Sequence, residues 1–109
     1  MVRGCEYICE KYGLKVCVVG HVGDGNIHPQ IALNLENDEE FKRYMDAKSE
    51  IYKLAISMGG TISAEHGVGV EKIPYIDKVI DASSLEYMKR IKNLFDPKGI
   101  LNPGKIFKI

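Results

Sequence analysis

The sequence predicts an α+β fold in which an antiparallel β-hairpin is packed with helices. Asp24-Gly25 lies between two apolar runs, which is a strong hairpin signal because both turn residues must accept positive φ. Apolar residues recur with a helical period in the segment that follows. A chain of 109 residues is the size of one domain, so we expect a single domain over residues 1–109.

The first helix is predicted over residues 2–12 and ends at Gly13, a common left-handed residue after a helix. A second helix is predicted to begin after Asn37, which can cap it, with Glu40 at the capping-box position. Its apolar residues keep a helical period up to the stop at Gly59-Gly60.

The C-terminal part is predicted to be less regular. Residues 61–70 read as an irregular, glycine-containing segment, followed by short helices over residues 71–79 and 83–95. Residues 96–99, Asp-Pro-Lys-Gly, form a turn, and residues 100–109 are predicted to be an extended tail containing Pro103-Gly104.

The hairpin strands are predicted over residues 15–22 and 27–34. With Asp24-Gly25 as a two-residue loop, His21 faces His28, with Cβ atoms about 4.5–5.5 Å apart. A four-residue loop over residues 23–26 would keep this pairing. One face of the hairpin is almost wholly apolar, whereas the face that carries the histidines is mixed. Two strands make a marginal sheet, so we expect further strand pairing, for example in a homo-oligomer.

A second group of polar residues lies between glycines. Glu65 and His66 are adjacent on irregular backbone, so their side chains are expected to point in different directions and to have different roles. Two histidines and one carboxylate suit an open site for zinc or a similar divalent ion. His21, His28 and Glu65 would supply that set, and His66 would remain to accept a proton. The alternative is that these are ordinary surface histidines beside a turn and a helix stop.

Composition excludes several classes of protein. The charges balance at 15 basic and 15 acidic residues, without a basic block, which disfavours nucleic-acid binding. No apolar run approaches a membrane span, and the N-terminus does not open a signal peptide. Three cysteines without metal-type spacing indicate a reducing, cytoplasmic environment, and Cys5 and Cys9 are predicted to be packing residues.

Three motifs in this order resemble the C-terminal end of FAD-linked 2-hydroxyacid oxidases and dehydrogenases of the vanillyl-alcohol-oxidase type. They are Gly-His-Val-Gly-Asp-Gly-Asn-Ile-His at residues 20–28, Gly-Gly-Thr-Ile-Ser-Ala-Glu-His-Gly-Val-Gly at 59–69, and Phe-Asp-Pro-Lys-Gly-Ile-Leu-Asn-Pro-Gly-Lys at 95–105. The family includes the glycolate oxidase FAD subunit, D-lactate dehydrogenase and D-2-hydroxyglutarate dehydrogenase. The resemblance is weakest over residues 1–14.

This resemblance implies roles for particular residues. His21, His28 and Glu65 match metal ligands of the family, and His66 matches the base that removes the hydroxyl proton while hydride leaves for the flavin. Asn102 matches a residue near the flavin ring, and Gln30 falls where relatives place a polar residue close to the substrate. The implied cofactors are FAD and a divalent metal such as zinc, and the implied substrate is a small 2-hydroxy acid.

The chain departs from the family in length, since relatives are several hundred residues long. An N-terminal FAD-binding domain is absent, and nothing resembles a dinucleotide cradle. We therefore expect a fragment or subunit that needs an FAD-binding partner and is not active alone. Two other functions stay open: an autonomous metal-binding or hydrolytic protein without flavin, and a non-catalytic assembly subunit.

Overall fold

The structure is a computed structural model that describes residues 1–107. Two compact units divide the chain, Met1–Ala64 and Glu65–Ile109, here called unit 1 and unit 2. The prediction of one domain over residues 1–109 stays a prediction. The mixture of helices with a two-stranded antiparallel sheet confirms the α+β class. The regular elements are α1 (Val2–Lys11), β1 (Val16–His21), β2 (Asn26–Ile31), α2 (Asp38–Ser57) and α3 (Ala82–Phe95).

Unit 1 has a hydrophobic core between its two helices and the hairpin. Cys5 and Cys9 of α1 are fully buried, which confirms them as packing residues, and burial raises the pKa of both thiols. The apolar face of the hairpin packs against this core, as its sequence pattern predicts. The core consists of Cys5, Ile8, Cys9, Leu14, Ala47 and Ile51, with Val16, Val18, Ile27 and Ile31 of the hairpin packed on it.

The register of the hairpin differs by two residues from the predicted one. His21 pairs with Asn26 and His28 pairs with Val19, so the two histidines are diagonal neighbours instead of directly opposite. The prediction of a two-residue Asp24-Gly25 loop was wrong. Residues 22–25 form a four-residue loop with a 3₁₀ turn at Val22–Asp24. In this loop only Gly25 takes positive φ, at 72°, so the chain does not need the paired positive φ angles of a two-residue turn.

Helix α2 begins as the sequence predicts. The side chain of Asn37 accepts a hydrogen bond from the backbone N–H of Glu40 at 3.1 Å. Glu40 does not complete a capping box, because its carboxylate accepts a hydrogen bond from the backbone N–H of Asn34 instead. The helix ends at Ser57, one residue before the glycine pair, and Gly59 has φ 76°.

Unit 2 is less regular than the sequence predicts. The segment predicted as a helix over residues 71–79 is a 3₁₀ helix at Ile73–Lys78. The predicted helix over residues 83–95 is α3, which Asp81 caps by accepting a hydrogen bond from the N–H of Ser84.

The predicted extended tail was wrong for residues 101–107, which form bends and turns. The N–H of Lys105 bonds to the carbonyl of Asn102 across Pro103-Gly104, and the N–H of Ile106 bonds to the carbonyl of Gly69. These bonds satisfy backbone groups that an isolated extended segment would leave to solvent. Residues 108–109 lie outside the described residues.

Among residues 1–107, no helix combines the length and the apolar character that crossing a membrane requires. Within the same part of the chain, the sheet has only β1 and β2. The expected completion of the sheet in an oligomer stays a prediction.

Candidate functional site

The hairpin of unit 1 separates an apolar face from a polar one, here called the histidine face. The histidine face carries Cys17, Val19 and His21 of β1, with Asn26, His28 and Gln30 of β2 opposite them. A register shift of two residues keeps every side chain on its predicted face, because the side-chain period of a strand is two. The histidines therefore share one face, as predicted, despite the wrong pairing.

Gly20 lets the two strands approach closely beside His21. A Cβ atom at this position would lie 2.4 Å from the carbonyl oxygen of Asn26, and its φ of 141° is unfavourable for other residues. The glycine that precedes His21 in the first motif is thus required by strand packing. Its missing side chain lets the backbone that carries His21 lie close to β2.

The two imidazoles of the histidine face are neighbours. The ring centroids of His21 and His28 are 6.5 Å apart, and the ring planes are nearly perpendicular at 87°. His21 is exposed, whereas His28 is half-buried and its Nε2 atom is shielded from solvent. The hairpin therefore holds two nitrogen donors side by side at the edge of unit 1.

This pair fits a shared divalent cation after a small adjustment. Nitrogens that bind one zinc ion at about 2.0–2.1 Å place the centroids of their rings roughly 5–6 Å apart. The observed 6.5 Å exceeds that range by a distance that side-chain rotation can close. Neutral imidazoles suit zinc and similar transition metals, so the chemistry of the donors agrees with the geometry.

Two further polar side chains lie on the histidine face. Gln30 is exposed and follows His28 by two residues, so it lies on the same face as the histidines, as predicted. Asn26 was not among the predicted site residues, although it precedes His28 by two residues. Its Oδ1 atom is shielded from solvent, and no group within residues 1–107 donates a hydrogen bond to it. The spacing of two from His28, once a strand is assumed, is the sequence signal that could have identified Asn26.

Glu65 and His66 lie at the start of unit 2, and their side chains converge. Oε1 of Glu65 is 3.5 Å from Nε2 of His66, so the expectation that adjacent residues point in different directions was wrong. Gly67 follows with φ 71°, which bends the backbone away directly after the pair. Both side chains are well exposed, at 45% for Glu65 and 68% for His66. A carboxylate has a second oxygen, so Glu65 can face the imidazole and still offer a ligand atom.

Asn102 lies in the turn-rich tail of unit 2, directly after a residue whose backbone bonds to Asp96 and Lys92. Leu101, the residue before it, donates its backbone N–H to Oδ2 of Asp96 at 2.9 Å and accepts a hydrogen bond on its carbonyl from Nζ of Lys92 at 2.7 Å. Asn102 itself has φ 46°, which asparagine tolerates better than most residues. Both backbone polar groups of the preceding residue are therefore fixed.

Asp96 is the buried centre of this arrangement. It is 4% exposed, and its carboxylate also accepts a hydrogen bond from the N–H of Ile100. Its hydrogen bond from the Lys92 ammonium, together with the backbone N–H donors, lowers the pKa of Asp96. The charged form of Asp96 is thus the one that holds the tail.

A cleft of about 230 Å³ opens beside Asn102 in unit 2. Its lining includes Lys89, Lys92 and Lys105 together with Asp96. Three ammonium groups against one carboxylate give the cleft a positive charge. An anionic ligand is therefore favoured there over a cationic one.

Comparison with known proteins identifies the family. The sequence profile of the family described as "FAD linked oxidases, C-terminal domain" matches residues 1–106. The chain is 44% identical over 107 residues to the glycolate oxidase subunit GlcD of Bacillus subtilis, covering 98% of this chain and 23% of that protein.

Two other relatives have related names. D-lactate dehydrogenase of Archaeoglobus fulgidus is 43% identical over 106 residues, which cover 97% of this chain and 23% of that protein. D-2-hydroxyglutarate dehydrogenase of Stutzerimonas stutzeri is 42% identical over 90 residues, which cover 81% of this chain and 19% of that protein. The chain thus spans about a quarter or less of the length of these relatives, and it belongs to the family of C-terminal domains of FAD-linked oxidases.

Proposed function

We propose that this chain supplies the substrate side of an FAD-dependent oxidoreductase that converts a small 2-hydroxy acid, such as D-lactate or glycolate, to the 2-oxo acid. The pair of imidazoles on one hairpin face carries this proposal, because a small side-chain rotation brings them to the spacing of a shared cation. Family membership supports FAD as the oxidant, and the names of the relatives support a small 2-hydroxy acid as the substrate.

In this proposal, His21, His28 and Glu65 hold a divalent cation, with zinc as the first candidate. The cation, when bound, makes a substrate hydroxyl more acidic. Gln30 lies on the histidine face, where its amide can bind the substrate. Together these residues orient the hydroxy acid before it reacts.

His66 is the proposed base. Its imidazole takes the hydroxyl proton as the substrate carbon loses hydride, and Oε1 of Glu65, which lies 3.5 Å from Nε2, stabilises the imidazolium that forms. FAD, when bound, accepts that hydride. Asn102 contacts the flavin in this proposal, and the positive cleft beside it supports binding of an anionic cofactor.

An FAD-binding domain or subunit is the proposed partner. Helix α3 has no buried residue, and it exposes a row of large apolar side chains that such a partner can cover. These side chains include Tyr87, Ile91, Leu94 and Phe95, at 64%, 58%, 75% and 78% exposure.

Reconstitution tests the proposed activity. The chain is mixed with the part of the Bacillus subtilis relative that it does not match, in the presence of FAD, and dye reduction is measured with D-lactate and with glycolate. The expected result is turnover above that of this part of the relative alone. His66→Asn should abolish this gain, because no base remains to take the proton. Glu65→Gln should reduce the gain strongly, whereas Glu71→Gln, the matched control, should keep it. Equal dye reduction with and without the chain would count against the proposal.

The purified chain distinguishes the remaining functions. The spacing of the imidazoles also favours an autonomous metal-binding protein as a second candidate. Bound zinc with hydrolysis of esters or phosphates, and no gain on reconstitution, would favour that candidate. A stable oligomer with neither metal nor flavin would favour an assembly subunit.

A further inference from the structure

Asn26 lies beside both imidazoles of unit 1. It is the first residue of β2 and pairs with His21 across the ladder. It precedes His28 by two residues, and side chains two apart in a strand share a face. Its amide group therefore stands on the histidine face next to the proposed ligands.

The amide oxygen of Asn26 lacks a donor within the described part of the chain. Oδ1 is shielded from solvent, and no group of residues 1–107 donates a hydrogen bond to it. A buried carbonyl oxygen without a donor lowers stability, so a native protein that retains one usually completes it with a ligand, an ion or a water molecule. The oxygen can only accept hydrogen bonds, so its partner must carry an O–H or N–H group, and water or a hydroxy acid bound to a cation supplies an O–H group.

We propose that Oδ1 of Asn26 accepts a hydrogen bond from an O–H group bound to the cation that His21 and His28 hold. This inference rests on the proposed metal site and adds Asn26 to it as a further binding residue. The O–H group belongs either to a metal-bound water molecule or to the hydroxyl of the 2-hydroxy acid. Both have the same chemistry, and both satisfy the oxygen that the protein leaves without a donor.

Titration of the full chain with Zn²⁺, in the absence and presence of glycolate, tests this role. Asn26→Ala should weaken zinc binding by about 10- to 100-fold, the usual effect of removing a hydrogen-bond partner from a metal site. If Asn26→Ala weakens zinc binding in the absence of glycolate, the group that donates to Oδ1 is a water molecule. If it weakens zinc binding only in the presence of glycolate, that group is the substrate hydroxyl. Asn26→Asp keeps an oxygen acceptor and should bind zinc more tightly than Asn26→Ala.

The thermal stability of the metal-free protein separates this role from a structural one. Asn26→Ala removes an acceptor that lacks a donor, so its Tm should equal or exceed that of the wild type. Asn93→Ala, on an exposed position of α3, is the matched control and should bind zinc as the wild type does.

Three results would overturn the inference. Equal zinc binding by the wild type and Asn26→Ala, with and without glycolate, would remove Asn26 from the site and leave the proposed metal site standing. A lower metal-free Tm in Asn26→Ala, with weak zinc binding that Asn26→Asp does not restore, would assign a structural role. Absence of zinc binding by the wild type would reject the metal site and this inference together.

Discussion

Unit 1 and unit 2 are stabilised by different kinds of contact. Among the described residues, seven of the eight buried apolar side chains belong to unit 1, and only Ile76 belongs to unit 2. Unit 2 instead relies on local polar contacts, such as the cap at Asp81 and the buried carboxylate of Asp96. Apolar burial is the main favourable contribution to folding, so unit 1 is the part equipped to fold by itself.

The residues proposed to be functional are also supported differently in the two units. The histidine face lies on a hairpin whose other face packs on a core, so its imidazoles project from a supported backbone. Glu65, His66 and Asn102 lie on loops and turns of unit 2. Unit 2 also exposes the apolar row of α3. The loop-borne residues are therefore the ones whose placement depends most on a partner.

The largest effect on stability is expected when a core side chain of unit 1 is shortened. Ile51→Ala removes a side chain that is 7% exposed and should lower the free energy of unfolding by about 2–5 kcal/mol. Ile91→Ala is the matched control, because Ile91 is 58% exposed, and it should change that free energy by about 0.5 kcal/mol or less. Urea denaturation followed by circular dichroism measures both. If both variants lost the same free energy of unfolding, the proposed difference in apolar burial between unit 1 and unit 2 would be wrong.

The second-largest effect is expected when Asp96 of unit 2 is replaced. Asp96→Asn removes the charge that holds the Lys92 ammonium and weakens the bonds to Ile100 and Leu101, so the tail should loosen. Trypsin should then cleave after Lys98 several times faster than in the wild type. Asp77→Asn, at an exposed position, serves as the control and should be cleaved at the wild-type rate.

The difference in cleavage rate between the wild type and Asp96→Asn should depend on pH, because the pKa of Asp96 is lowered. Its charged form stabilises the folded state at pH values above the ordinary aspartate value of 3.8, and this contribution is lost as the pH falls through the lowered pKa. The wild type and Asp96→Asn should therefore differ most near neutral pH and converge in acid. A difference that stays constant from pH 7 to pH 2.5 would contradict the assigned role. A protease active in acid, such as pepsin, extends the measurement below pH 4.

The smallest expected effect is the loss of a helix cap in unit 1. Asn37→Ala removes the acceptor for the N–H of Glu40 and should cost about 1 kcal/mol. Asn93→Ala, within α3, has no cap to lose and should stay close to the wild type. Thermal unfolding measures both variants. A loss as large as that of Ile51→Ala would mean that α2 depends on its cap more than on the core.

Much of unit 1 could be predicted from the sequence, because its signals are local and agree with one another. The glycine after α1, the cap at Asn37 and the glycine pair after α2 each mark a boundary by backbone chemistry. The alternation of apolar and polar residues assigned both faces of the hairpin. Unit 2 was harder, because its 3₁₀ segment and its tail depend on contacts such as the bond from Ile106 to Gly69.

The sequence by itself determined the family, the two faces of the hairpin and the presence of both histidines on one of them, because side-chain alternation is a local property of a strand. Only the tertiary structure decided the register, since a shift of two residues leaves the pattern of faces unchanged. The tertiary structure also showed the convergence of Glu65 with His66 and the oxygen of Asn26 that lacks a donor within residues 1–107. Both depend on distances between atoms in space, which residue order does not specify.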